Sequence, residues 1–133
     1  MKKLIMILLF LVSLTIQATT YYVAPSTASP AGSDSNSGTI GSPWLTLNHA
    51  WAAVSAGDTI YMRGGTWTYA MMGTTQLTNK SRTAGNYITI ENYPGESPII
   101  NFSANTFSSQ VIGIYIQNAN YFYIFYIAFQ QLD

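Results

Sequence analysis

The sequence predicts an all-β chain of short strands wound as a solenoid, with one small helix near its start. Runs of four or five residues alternate apolar and polar side chains between Gly, Pro and Asn turns, which is the period of half-buried strands. One stripe of helical period precedes them. Ile60, Ile88 and Ile114 recur at spacings of 28 and then 26 positions, with more than one short strand per interval, as coils of a solenoid require. A β-sandwich also supplies many short strands and remains the alternative on these observations. It calls for hairpin turns every 8–12 residues or so and for no helix near the start.

Taken in order, the chain opens with Lys2 and Lys3, an apolar run from Leu4 of about 13 residues, and a small residue at Ala18. That pattern is a secretory leader cut near Ala18. A membrane span needs about 20 apolar residues, so no stable membrane anchor is expected, and no Cys follows the run to carry a lipid. The expected location is secreted, periplasmic or cell-surface. Removing residues 1–18 leaves Arg63, Lys80 and Arg82 against Asp34, Asp58, Glu91, Glu96 and Asp133, a net charge of −2.

Residues 19–57 then read as a strand at 20–23, a loop at 24–43 dense in Ser, Gly and Pro, and a helix. Leu47, Ala50, Trp51 and Val54 fall on one helical stripe, with Thr46 as its cap and Gly57 as its stop. So short a helix does not persist alone in water, and its stripe must press on something apolar. Residues 58–133 read as strands: 59–62 ended by Gly64-Gly65, 87–91, 98–101 after the corner at Pro94-Gly95, the alternating Ile112, Ile114 and Ile116, and a last strand with Phe122 and Ile124 on one face. The stretch 74–85 reads as a Ser- and Thr-rich loop carrying Lys80 and Arg82.

Composition excludes several functions. Of 133 residues only 8% are charged and the formal net charge is zero, against about 25% charged in ordinary domains. Nucleic-acid binding, which needs clustered Lys and Arg on phosphates, is not expected. Without Cys there is no disulfide framework, thiolate metal site or cysteine nucleophile. An aromatic share of 14% on a weakly charged chain suits stacking and hydrogen bonding with sugars.

Four segments match a known pattern: Tyr22-Val23-x-Pro25; Gly32-Ser33-Asp34-Ser35-Asn36-Ser37-Gly38-Thr39; Pro43-Trp44-x-Thr46-Leu47; and Ala56-Gly57-Asp58-Thr59-Ile60-Tyr61-Met62-Arg63-Gly64-Gly65-Thr66. The continuation from Thr83-Ala84-Gly85-Asn86-Tyr87-Ile88 to Tyr93-Pro94-Gly95-Glu96-x-Pro98 extends the match. Together they resemble the amino-terminal part of secreted right-handed parallel β-helix proteins of the pectin-lyase-like class. Those include the pectate lyases of polysaccharide lyase family nine and related chondroitinase and alginate lyases.

The resemblance implies a right-handed parallel β-helix with the helix as its lid. Ile60, Ile88, Ile90, Ile112, Ile114 and Ile116 would stack inward, and Gly64, Gly65 and Gly95 would turn the corners. Phe125-Tyr126 departs from the pattern, which places a small or polar pair there. Because the sequence stops at Asp133 just after an apolar strand, the expectation is a fragment of a longer protein.

The resemblance also implies chemistry. Its lyases cleave uronic-acid polysaccharides by β-elimination: a Lys or Arg takes the proton beside the carboxylate while calcium neutralises that carboxylate. It places the aspartate cluster and the basic catalyst on central coils beyond this sequence. No catalytic residue and no metal ligand is therefore assigned here, no cofactor is expected in this fragment, and calcium is expected only for the full-length parent. The expected partner is an acidic polysaccharide. A non-catalytic β-helix for glycan binding or surface attachment is the competing reading.

The candidate substrate-binding residues are Arg63, Trp67 and Tyr69. Arg63 ends a strand where it could meet a glycan carboxylate or pair locally with Asp58 or Glu91. Trp67 and Tyr69 alternate after Gly65 and could form a stacking platform, or pack between coils. Lys80 and Arg82 are the nearest thing to a basic pair, but an exposed loop offers no means of depressing a pKa. The run Asp34-x-Asn36-x-Gly38 has some oxygen ligands of a calcium loop but lacks the rest, and reads as an Asx turn. His49 is the one histidine, off the apolar stripe, with no spacing that supports a triad.

Overall fold

The structure, a computed structural model, describes residues 17–80, 84–101, 114–120, 122–125 and 127–130. Most of the expected leader, Arg82, Ile112 and Tyr126 lie outside the described residues. Nine strands are described: β1 (Thr20–Val23), β2 (Thr59–Met62), β3 (Gly65–Thr68), β4 (Thr75–Thr78), β5 (Ile88–Asn92), β6 (Pro98–Asn101), β7 (Ile114–Gln117), β8 (Phe122–Phe125) and β9 (Ala128–Gln130). Two helices join them, α1 (Leu47–Ala53) and α2 (Tyr69–Met72).

Consecutive strands go to different walls. β2, β3 and β4 enter three separate sheets and β5 returns beside β2, giving the orders β1-β2-β5-β8, β3-β6-β9 and β4-β7. Every pairing between strands is parallel. A sandwich of hairpins is thereby excluded, and the chain is a parallel β-helix. Alternation sets its interior: Ile60 and Met62 of β2, Ile88 and Ile90 of β5, Trp67, Leu77 and Ile100 are all buried in one cluster. Each such side chain contributes about 1.5–3 kcal/mol by leaving water.

The isoleucine spacing identified the right architecture through the wrong register. Ile60 stands beside Ile90, Ile88 beside Phe122, and Ile114 beside Thr75 in another sheet. The turns between walls differ in length, so the repeat runs from Thr59 to Thr89 in one rung and from Ile88 to Phe122 in the next. Three further expectations are corrected. Residues Thr75–Thr78 within the stretch read as a loop form β4. Gly65 and Gly95 turn corners at φ +122° and +79°, whereas Gly64 is not among the positive-φ residues and instead gives Glu96 room. Ile116 shares the inward row with Leu77 yet is 47% exposed, because among the described residues no strand lies beyond β7.

Helix α1 is the lid. Thr46 caps it by accepting from the His49 N–H at 3.1 Å, and Leu47, Ala50 and Trp51 are buried with Val54 against the cluster. The helix ends at Ala53 with Val54 extended, earlier than the Gly57 stop expected, and Gly57 turns the chain into β2 at φ +89°. Asn48 then serves the outer edge of β4, donating to the Thr74 carbonyl at 2.8 Å and accepting from the Gln76 N–H at 2.6 Å. The Trp51 indole donates to the Thr78 carbonyl at 3.0 Å.

The loop before α1 serves β1 in the same way. Tyr22 donates to the Gly38 carbonyl at 2.9 Å, Trp44 to the Tyr22 carbonyl at 2.9 Å, and Ala24 to the Trp44 carbonyl at 2.8 Å. Asp34 holds the loop shut by accepting from the Leu45 and Thr46 amides at 2.9 Å each and from the Thr46 hydroxyl at 2.8 Å. Asn36 donates to the Pro43 carbonyl at 2.8 Å and accepts the Trp44 indole N–H at 2.8 Å. These are turn-forming bonds, and they occupy both carboxylate oxygens of Asp34, the acidic residue of the run that resembled a calcium loop.

Candidate functional site

The outward residues of the first sheet form the most chemically distinctive surface. Parallel register sets Tyr22 of β1 beside Tyr61 of β2, and Tyr61 beside Glu91 of β5. The Tyr22 and Tyr61 rings are stacked, with centroids 5.8 Å apart. Just past β5, the Tyr93 N–H donates to the Met62 carbonyl at 2.8 Å. This places the Tyr93 ring edge-on to Tyr61 at 5.7 Å and tilted to Tyr22 at 6.0 Å.

Arg63 leaves β2 by donating its N–H to the Val23 carbonyl at 2.8 Å, and its guanidinium lies over the Tyr93 ring, 4.9 Å from the centroid. The turn at Pro94-Gly95 brings Glu96 back to it. Nε donates to both carboxylate oxygens at 3.0 and 2.9 Å, Nη2 donates to Oε1 at 2.8 Å, and the Gly64 N–H donates to Oε2 at 2.5 Å. The Arg63 bond and, opposed by burial, the Gly64 amide hold the Glu96 carboxyl below its ordinary range. The bond to Glu96 raises Arg63 in turn. Burial first, then the Glu91 carboxylate, push the Tyr61 phenol up.

Further along the same sheet, Tyr123 and Phe125 of β8 are 44% and 40% exposed, their rings stacked at 5.4 Å. Tyr87 packs on Tyr123 at 4.6 Å, and its hydrogen bond raises the Tyr123 phenol. The arrangement offers aromatic faces for sugar rings and one neutralised cation for orientation.

Of the three candidate residues, only Arg63 belongs to this surface, and its partner is Glu96 rather than Asp58 or Glu91. Trp67 is corrected to a core residue. It is 1% exposed, it sits beside the buried Ile100, and its indole donates to the Leu45 carbonyl at 3.0 Å, so no sugar reaches its face. Tyr69 opens α2 and leaves the strand alternation, which removes the platform expected of the pair. Lys80 caps α1, its ammonium 2.6 Å from the Val54 carbonyl and 3.2 Å from that of Ala52. His49 packs its ring on Trp44 at 4.9 Å. Tyr22, Tyr61, Tyr93 and Glu96 escaped the sequence reading; outward alternation in β1 and β2 was a signal for the first two, but nothing in the sequence set their register.

The residues described do not fit a calcium site. Among them no three His, Asp or Glu side chains gather. Asp34 and Asp58 are engaged by backbone amides and Glu96 by Arg63. No described helix is long and apolar enough to cross a membrane.

A lidded parallel β-helix with an aromatic outer sheet defines the class, and comparison with known proteins defines the family. A family model described as "Pel9A-like, right handed beta helix region" matches residues 21–133, and the chain belongs to that family. Pectate lyase PEL9 of Emericella nidulans is 44% identical over 72 residues, which are 54% of this chain and 17% of that protein. A solved rhamnogalacturonan lyase superposes with a TM-score of 0.64 at 26% identity, covering 84% of this chain and 28% of the lyase. The chain thus spans less than a third of the length of either relative.

Proposed function

We propose that this chain forms the amino-terminal coils of an exported polyuronate lyase that cleaves a pectate-type polysaccharide by β-elimination. The 44% identity to a pectate lyase over 72 residues, together with a family match over residues 21–133, carries this reading. In that reaction a base removes the proton beside the uronate carboxylate, the bond to the leaving glycosidic oxygen breaks, and the product carries a carbon–carbon double bond. The described residues supply no such base, since Arg63 is forked onto Glu96 and Lys80 sits on the carbonyls of α1. Their share is scaffold and binding: the lid starts the coils, and the tyrosine face offers sugars a stacking surface on the first sheet.

Incubating the full-length protein with polygalacturonate, with and without a calcium chelator, tests the proposal. The expected result is a rise in ultraviolet absorbance from unsaturated uronate, abolished by the chelator. The aromatic face favours a second reading, non-catalytic glycan binding. Retention of the polysaccharide with no absorbance rise would select it.

A further inference from the structure

The first sheet's ladder begins before β1, at Thr19. The Thr19 carbonyl accepts from the Thr59 N–H at 3.0 Å, and the Thr19 nitrogen lies 2.7 Å from Asp58 Oδ1. Asp58 is 4% exposed, and its other oxygen accepts the Ser55 N–H at 2.6 Å. Among the described residues no cation pairs with this carboxylate. A buried carboxylate without a counter-charge is costly. Residues 17–19 are exposed, and Ala18 is the small residue that ends the leader pattern.

We propose that the chain is processed between Ala18 and Thr19, and that the α-ammonium released on Thr19 is the charge partner of Asp58. Water adds across the peptide bond under a leader peptidase: Ala18 departs with a carboxylate, and Thr19 keeps the nitrogen, which takes up a proton at neutral pH. The nitrogen already stands at hydrogen-bond distance, so hydrolysis exchanges a neutral amide donor for a charged one without moving the strand. The unprocessed chain lacks this ion pair, and export therefore tightens the joint between the first strand, the turn after α1 and β2. On the surrounding elements the charged and titratable groups are Tyr21 and Tyr22 of β1, His49 of α1, Tyr61 of β2, Glu91 of β5, Lys80, at the Val54 carbonyl, and Tyr87, whose ring meets that of Tyr123 at 4.6 Å. Among the described residues the Asp58 side chain bonds to the Thr19 and Ser55 amides.

The test uses the full-length protein exported under its own leader and a second preparation, made without export, that keeps Gln17 and Ala18 behind a single Met. Mass spectrometry of the exported protein should find Thr19 as the first residue; any other start overturns the proposal. The exported form should melt several degrees higher at pH 6.5, and the gap should close at pH 10, where the amine is neutral. Asp58→Asn should abolish the gap. Should that variant fail to fold, amine-labelling rates decide the matter. The exported amine should react more slowly at pH 7.5, approaching the factor of about ten that one unit of raised pKa gives. An ordinary labelling rate, or a melting gap that persists at pH 10, overturns the ion pair.

Discussion

At the scale of single residues, Thr75 is an exception to the rule that buried polar atoms are paired. It is fully buried in the inward row of β4, and among the described residues its hydroxyl has no hydrogen-bond partner. Thr75→Val keeps the shape and removes the unpaired donor, so unfolding free energy should rise by about 1 kcal/mol in chemical denaturation. A loss instead would mean that the hydroxyl is paired in solution. Glu96 makes a pH prediction. Its folded pKa is lowered by Arg63, so its stabilisation is complete above the unfolded value of about 4.3 and is lost as pH falls through the folded one. Melting temperatures from pH 6 down to pH 3 should fall less steeply for Glu96→Gln than for the parent. Trp67 shows where sequence reading stops: its parity within β3 was visible, but only the pairing with Ile100 decides that this parity points inward.

Among the elements, the loop before α1 turns on Gly38. A Cβ there would lie 2.6 Å from the Trp44 ring, at a φ of +76° that side chains rarely adopt. Gly38→Ala should cost about 2 kcal/mol or more from strain and displaced indole together. Light scattering on heating should show earlier aggregation, since Gly38 and Trp44 also cover the edge of β1. The helix was legible because Leu47, Ala50, Trp51 and Val54 carry a 3.6-residue period with a capping Thr in front. Strands β1, β2, β6 and β8 were legible from alternation between turn residues. Strands β3 and β4 were not, because each is mostly polar in sequence, GTWT and TQLT, with a single large apolar residue apiece and with Thr75 facing the core.

For the whole molecule, each coil is stabilised only by the coils it touches, so protection should follow position in the stack. Amides of β2, β5 and β6, which have a strand on both sides, should exchange slowest with deuterium; those of β7, β8 and β9, each with one neighbour, should exchange fastest among the described strands. Uniform protection across the sheets would contradict this quasi-one-dimensional account. The architecture was readable because coiling and a lid leave marks in composition and order. The tyrosine face was not, because Tyr22, Tyr61 and Tyr93 meet only once the register is known, and unequal turns conceal that register.

The bonds from Gly38, Trp44 and Asn48 to the outer edges of β1 and β4 give the stack a direction. At that end these backbone donors and acceptors are already answered by the chain's own loop and helix, so a second molecule finds no ladder to extend on β1 or β4. Winding thus has a fixed origin, and head-to-head fibre growth is blocked by the segment that starts the fold.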